Sequence, residues 1–311
     1  MQIDRRTMLA GSAALSLTGC KLERVYVPLA NKALRALEEK SGGRLGVAIF
    51  RSESDQLEGL RYNEDFALCS TFKVLLAAAV LEAGQFGSLP ADELLRYGKT
   101  DMLPNSPVTQ VNLVRRRMTA EALAKATQTT SDNTAANLLI RRLGGPDALT
   151  AIFARWRSSI RLDRYETEMN DVPPGEKRDT TSPRAMVWLL GRLLYDQRIM
   201  NEKKKTLNAA SREKLIGWMV ETQTGMKRIR AGIPPGWKSG DKTGTAVGRS
   251  YANAYNDVAI FWPPSGSPVI VAAYYNGPSN ENRIRAEDEA VLAEVGTIAA
   301  AQALEWDALK G

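Results

Sequence analysis

Residues 69–76 read Cys69-Ser70-Thr71-Phe72-Lys73-Val74-Leu75-Leu76. Ser70 and Lys73 stand three apart at the head of an apolar run that continues to residue 83. The pattern predicts a helix over residues 71–83, apolar on nearly every side and therefore buried rather than on the surface. The spacing sets Ser70 and Lys73 one turn apart on one helix face. Free N–H groups and the dipole at a helix start favour negative charge, which suits an attacking oxygen. The chain has no histidine, so no imidazole takes the serine's proton. A lysine that is desolvated, or set beside another cation, can lose its own proton near neutral pH. Lys73 is thus a candidate base.

The missing histidine excludes Ser-His-Asp triads and His-ligated zinc. Cys20 and Cys69 are the only cysteines, too few for a thiolate metal site. No metal or cofactor is expected. With 44% hydrophobic residues, the 311-residue chain is globular and long enough for one large domain or two smaller ones. The formal charge of +7 would suit an anionic partner. However, the densest basic run, Lys203-Lys204-Lys205, lies between Glu202 and Thr206 without an aromatic platform. A solvated basic surface accounts for it, and no nucleic-acid partner is expected.

Residues 1–20 read as an address. A short charged start is followed by an apolar run over residues 8–17, too short to span a membrane. Arg5-Arg6 followed by Thr7-Met8-Leu9 resembles a twin-arginine export signal. Leu17-Thr18-Gly19-Cys20 resembles a lipobox, which would make lipidated Cys20 the mature N-terminus. Cys69 is then left without a disulfide partner. The expectation is an exported, periplasmic lipoprotein whose membrane contact is the lipid on Cys20.

Helical spacing over residues 28–40 is stopped by Ser41-Gly42-Gly43. A strand is expected at residues 45–50, a turn-rich stretch next, and a second strand within 62–68. Residues 84–218 read as helices and loops, with Thr119 as one cap, a helix over 133–143, and Ser182-Pro183 as a helix start. Residues 161–181, with Pro173-Pro174-Gly175 and little periodicity, form a long loop. Strands at 258–262 and 269–275 follow, then a closing helix over 281–309. The fold class is α+β: an antiparallel sheet flanked by helices, with an inserted all-α domain. Residues 21–67 and 219–311 make the α/β domain, and residues 68–218 make the insertion.

Ser-x-x-Lys alone is weak. Ser211-Arg212-Glu213-Lys214 repeats it and reads as a plain helix cap; Lys40-Ser41-Gly42 and Lys238-Ser239-Gly240 likewise imitate Lys242-Thr243-Gly244. The ordered set carries more: Ser70 and Lys73 opening a helix, Ser131-Asp132-Asn133 at another helix start, Glu166 and Asn170 in the long loop, and Lys242-Thr243-Gly244 opening a strand. In this the chain resembles the class A serine β-lactamases over nearly all of its mature length. Residues 161–170 through Arg178-Asp179-Thr180-Thr181 resemble the family's Ω-loop, and Arg230-Ala231-Gly232 also matches.

The resemblance implies an active site between the two domains, a monomer, and a β-lactam substrate. Ser70 would attack the lactam carbonyl and form an acyl-enzyme. The N–H groups of Ser70 and Thr245 would make the oxyanion hole, and Ser131 would pass a proton to the leaving nitrogen. Asn133 would bind the side-chain amide. Lys242, Thr243 and Thr245, with Gly244 between them, would face the substrate carboxylate. Glu166 with Asn170 would prepare the deacylating water, while the acylation base, Lys73 or Glu166, stays open. Arg164 and Asp179 would pair across the loop neck.

Four departures from the family's pattern stand out. Thr167 follows Glu166 where proline is usual, and the bond between them is expected to remain cis. Asn105, before Ser106-Pro107-Val108, takes the place of an aromatic wall, so the pocket should be more open there. No arginine stands in residues 250–253, and Arg228 is the expected source of that missing charge. Ala246 stands where some members place the cysteine that bridges to the one beside the nucleophile, so no such bridge forms and carbapenem hydrolysis cannot be inferred. A penicillin-binding D,D-peptidase shares the Ser-Lys and Lys-Thr-Gly elements, but Glu166 and Asn170 argue against it. A β-lactam sensor would need an output segment beyond the lipid signal.

Overall fold

A computed structural model describes residues 29–51, 53–195 and 206–309. The signal, Cys20 and Lys203-Lys204-Lys205 lie outside the described residues. In chain order, α1 (Leu29–Ser41) leads to strands β1 (Arg44–Arg51), β2 (Gln56–Leu60) and β3 (Phe66–Ala67). A single 3-10 turn, Cys69–Thr71, runs into α2 (Phe72–Gln85). There follow β4 (Leu94–Arg96), α3 (Pro107–Asn112), β5 (Arg117–Thr119), α4 (Ala120–Thr129), α5 (Asn133–Arg142) and α6 (Pro146–Arg155). After the long loop come β6 (Thr180–Thr181), α7 (Pro183–Tyr195), α8 (Ala209–Val220), β7 (Ser239–Ala246), β8 (Ala254–Phe261), β9 (Val269–Asn276) and α9 (Ala286–Ala308).

The main sheet runs β2-β1-β9-β8-β7, antiparallel throughout. It joins both ends of the described chain, because β1 pairs with β9 along its whole length. Alternation along β1, β8 and β9 sends side chains to two cores. Ala48, Phe50, Val258, Ile260, Ala272 and Tyr274 face the helices around α2. Val47, Ile49, Ala259, Val271 and Ala273 face α1 and α9. Helix α2 is the axis of the first core, and its residues from Phe72 to Glu82 are all buried. Each fully buried leucine there contributes roughly 2 kcal/mol.

Caps set where the site-bearing helices begin. Asp132 is the N-cap of α5, its carboxylate accepting from Ala135 N at 2.8 Å, which leaves the Asn133 side chain free for other partners. Asn208 caps α8 through Ser211 N. This corrects the reading of Ser211 as a cap: it lies in the first turn, and Lys214 pairs with Glu121 on the surface.

Other boundaries move as well. The turn-rich stretch after β1 contains β2, recruited by pairing with β1 rather than by its own composition. Only Phe66–Ala67 of the expected 62–68 strand pairs, with β6. The closing helix starts at Ala286, and Lys242 sits mid-strand rather than opening β7, because pairing with β8 extends back to Ser239. A small β4–β5 hairpin sits among the helices.

The long loop is pinned at its neck. Arg164 Nε donates to Asp179 Oδ2 at 2.6 Å. Asp179 Oδ1 accepts from the backbone amides of Asp163 and Arg164, and Asp179 N donates to Asp163 Oδ2. Asp179 O in turn accepts from Leu68 N at 2.8 Å, tying the loop to the turn before Ser70. With Asp179 fully buried and Arg164 half-buried, this pair is partly shielded from the screening that weakens surface pairs. The Glu166–Thr167 peptide is cis, as expected.

Candidate active site

Three pieces of backbone converge on Ser70: the loop carrying Glu166, the turn before α5, and β7. The Ser70 turn is held from behind by Asn256 of β8, whose Nδ2 donates to Ala67 O at 2.8 Å. On the β7 side, a Cβ at Gly244 would stand 3.1 Å from Ser70 N and 3.0 Å from Cys69 Cβ. Only glycine lets the strand come this close without displacing the Ser70 turn.

Ser70 Oγ donates to Glu166 Oε1 at 3.2 Å. Lys73, fully buried, places Nζ 2.9 Å from the same oxygen. Lys73 Nζ also donates to Ser131 O at 2.9 Å and to Asn133 Oδ1 at 2.5 Å. Glu166 is aimed by two further neighbours. Asn170 Nδ2 donates to Oε2 at 2.6 Å, and Asn137 clamps the backbone, donating to Glu166 O at 2.8 Å and accepting from Glu166 N at 2.9 Å. Ser131, at positive φ, accepts at Oγ from Lys242 Nζ (3.1 Å) and more loosely from Lys73 Nζ (3.4 Å). Lys242 also donates to Thr243 O.

Of the outer residues, Asn105 is exposed at the rim, its Nδ2 donating to Ser131 O at 3.1 Å. Asn133 donates to Pro104 O. Thr243 Oγ1 donates to Thr224 Oγ1 at 2.9 Å. Arg228 is buried behind β7: Nη1 donates to Gly244 O and Asn256 O, Nη2 to Thr245 Oγ1 at 2.8 Å, and Nε to Glu289 Oε1 on α9. The structure therefore gathers Ser70, Lys73, Ser131, Asn133, Glu166, Asn170 and Lys242 into one connected network. Thr243, Gly244, Thr245 and Arg228 form its β7 wall.

The chain matches the model of the β-lactamase enzyme family over residues 29–303. It is 38% identical over 292 residues to a carbapenem-hydrolyzing β-lactamase of Klebsiella oxytoca, covering 94% of this chain and 92% of that one. It is 36% identical to the β-lactamase Toho-1 of Escherichia coli, covering 95% of this chain and 98% of that one. A β-lactamase structure from Burkholderia vietnamiensis superposes with a TM-score of 0.81 at 38% identity, covering 90% of this chain and 98% of that one. The chain belongs to the class A serine β-lactamases. As a member, it is a serine hydrolase of β-lactams, an activity that confers antibiotic resistance.

Several residues that serve this class A site carried no readable motif. Asn137 follows Asn133 by one helical turn, a spacing that places it on the same face. Thr224, Asp257 and Glu289 had no local signal, since each meets its partner only through tertiary packing. Asp241, preceding Lys242, accepts from Arg230 Nη1 at 3.2 Å, and Asp257 Oδ2 accepts from Ile229 N at 3.0 Å. Burial pushes both carboxyls up, and for Asp241 the neighbouring Asp257 adds to the effect. Cys69 is a buried free thiol, pushed up to about 12 chiefly by burial and so chemically quiet.

Burial, and next the charge of Lys73, bring Lys242 down from 10.5 to about 7. The amine is cationic below that value and neutral above it. For a carboxylate-bearing β-lactam, kcat/KM is expected to fall as pH rises through about 7. The Lys242→Arg variant, cationic throughout, should lose that limb. An unchanged limb in Lys242→Arg would assign the titration to another group.

Proposed function

We propose that the network around Ser70 runs the whole acylation and deacylation cycle with Glu166 as its principal base. The observation that carries this is the shared oxygen: Glu166 Oε1 accepts from Ser70 Oγ and faces Lys73 Nζ at once. Lys73 directs its N–H donors at Ser131 O, Asn133 Oδ1 and Glu166, and more loosely at Ser131 Oγ, which leaves Glu166 as the acceptor nearest the hydroxyl proton. Ser70 attacks the lactam carbonyl carbon as its proton passes to Glu166. The N–H groups of Ser70 and Thr245 receive the oxyanion; β7 is the outer strand, so one of its edges is unpaired by the sheet.

When the C–N bond breaks, Ser131 gives its hydroxyl proton to the ring nitrogen. Lys73, which with Lys242 lies within reach of Ser131 Oγ, replaces it, and Glu166 hands the proton it took from Ser70 to Lys73, restoring its carboxylate before water enters. In deacylation Glu166, steadied by Asn170, takes a proton from water as the oxygen adds to the ester carbonyl. Collapse returns the proton to Ser70 and releases the ring-opened acid. Asn133 binds the acyl side-chain amide, with Asn105 at an open rim. Lys242, Thr243 and Thr245 bind the carboxylate, and Arg228 acts from behind, orienting the Thr245 hydroxyl and adding positive charge.

We further propose that the chain is an exported, periplasmic monomer, twin-arginine dependent and anchored by lipid on Cys20. The arginine pair and the lipobox-like residues before Cys20 support this.

Three outcomes are expected. Glu166→Ala should acylate much more slowly than the parent with a chromogenic cephalosporin and then stall, seen as a slow stoichiometric burst and an adduct by mass spectrometry; acylation at the parent rate would assign the first proton to another base, and normal turnover would remove Glu166 from deacylation. Arg228→Ala should raise KM for carboxylate-bearing substrates by about tenfold, the worth of a charge-assisted contact, with kcat much less affected. Unaltered affinity would exclude it from carboxylate binding. Cys20→Ala should move the enzyme from the membrane to the soluble fraction of cells and abolish palmitate labelling; labelling that persists would refute the anchor.

A further inference from the structure

Residues 90–120 leave one face of the helical part both basic and apolar. In the β4–β5 hairpin Leu95 and Met118 turn into the core, so strand alternation turns Leu94, Arg96 and Arg117 outward. Arg96 and Arg117 stand directly opposite one another across the pair, an arrangement of like charges that costs stability. The 3-10 turn Leu113–Arg115 leads from α3 towards β5 and adds Arg115 and Arg116. All four arginines are exposed, and among the described residues none of them takes part in an ion pair or a side-chain hydrogen bond. Of the carboxylates in the same stretch, Glu93 is paired with Arg142 and Asp101 with Arg141, which leaves exposed Asp92. Beside the arginines, Leu94 is 52% exposed, Val111 76% and Val114 87%. Val111 and Val114, three apart along one helical path, point the same way.

The backbone beneath this face is tied down. Asp132, the cap of α5, accepts from Val108 N at 3.0 Å and Thr109 N at 2.9 Å in the first turn of α3. Tyr97, which follows β4, donates through Oη to Thr109 O at 2.9 Å and through N to Arg116 O at 3.1 Å. Valines so exposed add little to the core, and unpaired arginines add nothing to the fold. Together they complement a surface that offers anionic oxygens with hydrocarbon just below them. We infer that this face docks on an anionic phospholipid bilayer, with the four guanidinium groups on headgroup phosphates and Leu94, Val111 and Val114 at the acyl boundary. The fork of donors on each arginine matches two phosphate oxygens at once. A nucleic acid fits the face less well: Tyr97, the only aromatic residue in the stretch, is buried and offers a base no stacking platform. The contact adds to the proposed lipid on Cys20 and does not depend on it. By itself it is reversible and yields to salt, so it orients a chain that an anchor already holds at the membrane.

The test uses the mature chain, residues 20–311, with Cys20→Ala in every arm, so that no lipid masks the contact. At low salt it should sediment with vesicles of phosphatidylcholine and phosphatidylglycerol in equal parts, stay in solution with phosphatidylcholine alone, and be released as salt rises. Arg96→Gln/Arg117→Gln should weaken the binding by about fivefold for each arginine removed, and Val111→Ser/Val114→Ser by about tenfold for the pair. Arg157→Gln, the same change on an exposed arginine in the turn after α6, should leave the binding as it was. None of these side chains belongs to the network around Ser70, so unchanged turnover of a chromogenic cephalosporin shows that each variant is folded. Equal binding to both kinds of vesicle, no loss in either double variant, or a matching loss in Arg157→Gln would overturn the inference. Single-stranded DNA bound as tightly as the vesicles, with the valine pair changing neither, would make the face a general polyanion surface and overturn it as well. Because lipidation is absent from every arm, these outcomes stand apart from the fate of the Cys20 anchor.

Discussion

The buried ammonium of Lys73 is the contact on which the rest of the site depends. Removing such an ion from water costs several kcal/mol unless partners surround it. Its partners come from three separate stretches: Glu166 from the Ω-loop, Ser131 O from the turn before α5, and Asn133 from the first turn of α5. Each partner is itself fixed, Glu166 by Asn137 and Asn170, and Asn133 by Pro104. Folding the hydrophobic α2 into the core carries Lys73 inward, and that burial is favourable only if these three stretches assemble around it. Core packing and site assembly are in this way one event.

A second buried amine, Lys242, enters from β7 and meets the first at Ser131 Oγ. Two such cations raise each other's cost, and behind Lys242 the sheet supplies Asp241 and Asp257, themselves raised by burial. Arg230 and Arg228 stand against these carboxyls and the back of β7. Positive and negative groups thus alternate from the substrate side of β7 to its rear.

Much of this was readable from residues alone, and what was not has a common cause. Helix starts at Thr119 and Ser182-Pro183 carried their own caps, and the continuous apolar run after Ser70 announced a central helix. Strand β2 did not, because Gln56–Leu60 is a strand only through its pairing with β1. The start of β7 was likewise set by β8 rather than by the Lys-Thr-Gly residues. In the site, residues within motifs were legible, whereas Glu289 and Thr224 gain their partners across 61 and 19 residues of chain. Arg228 was legible as a charge but not as a group locked behind Thr245, since the turn that carries it is positioned by α9.

The two copies of Ser-x-x-Lys show what separates a catalytic unit from a repeated spacing. Ser211 and Lys214 also share one helix face. Yet Lys214 is exposed and pairs with Glu121 at 2.6 Å on the surface, where water screens both charges. Lys73 has no solvent contact, and every partner it finds is protein. Spacing provides only that a serine and a lysine point the same way. In the proposed cycle, reactivity at Ser70 comes from desolvation, which makes each nearby charge and dipole count for more, and from a carboxylate delivered by a loop 96 residues away. The same spacing on an amphipathic surface helix therefore stays inert, whereas on a helix driven into the core by its apolar flanks it becomes the centre of a proton-transfer network.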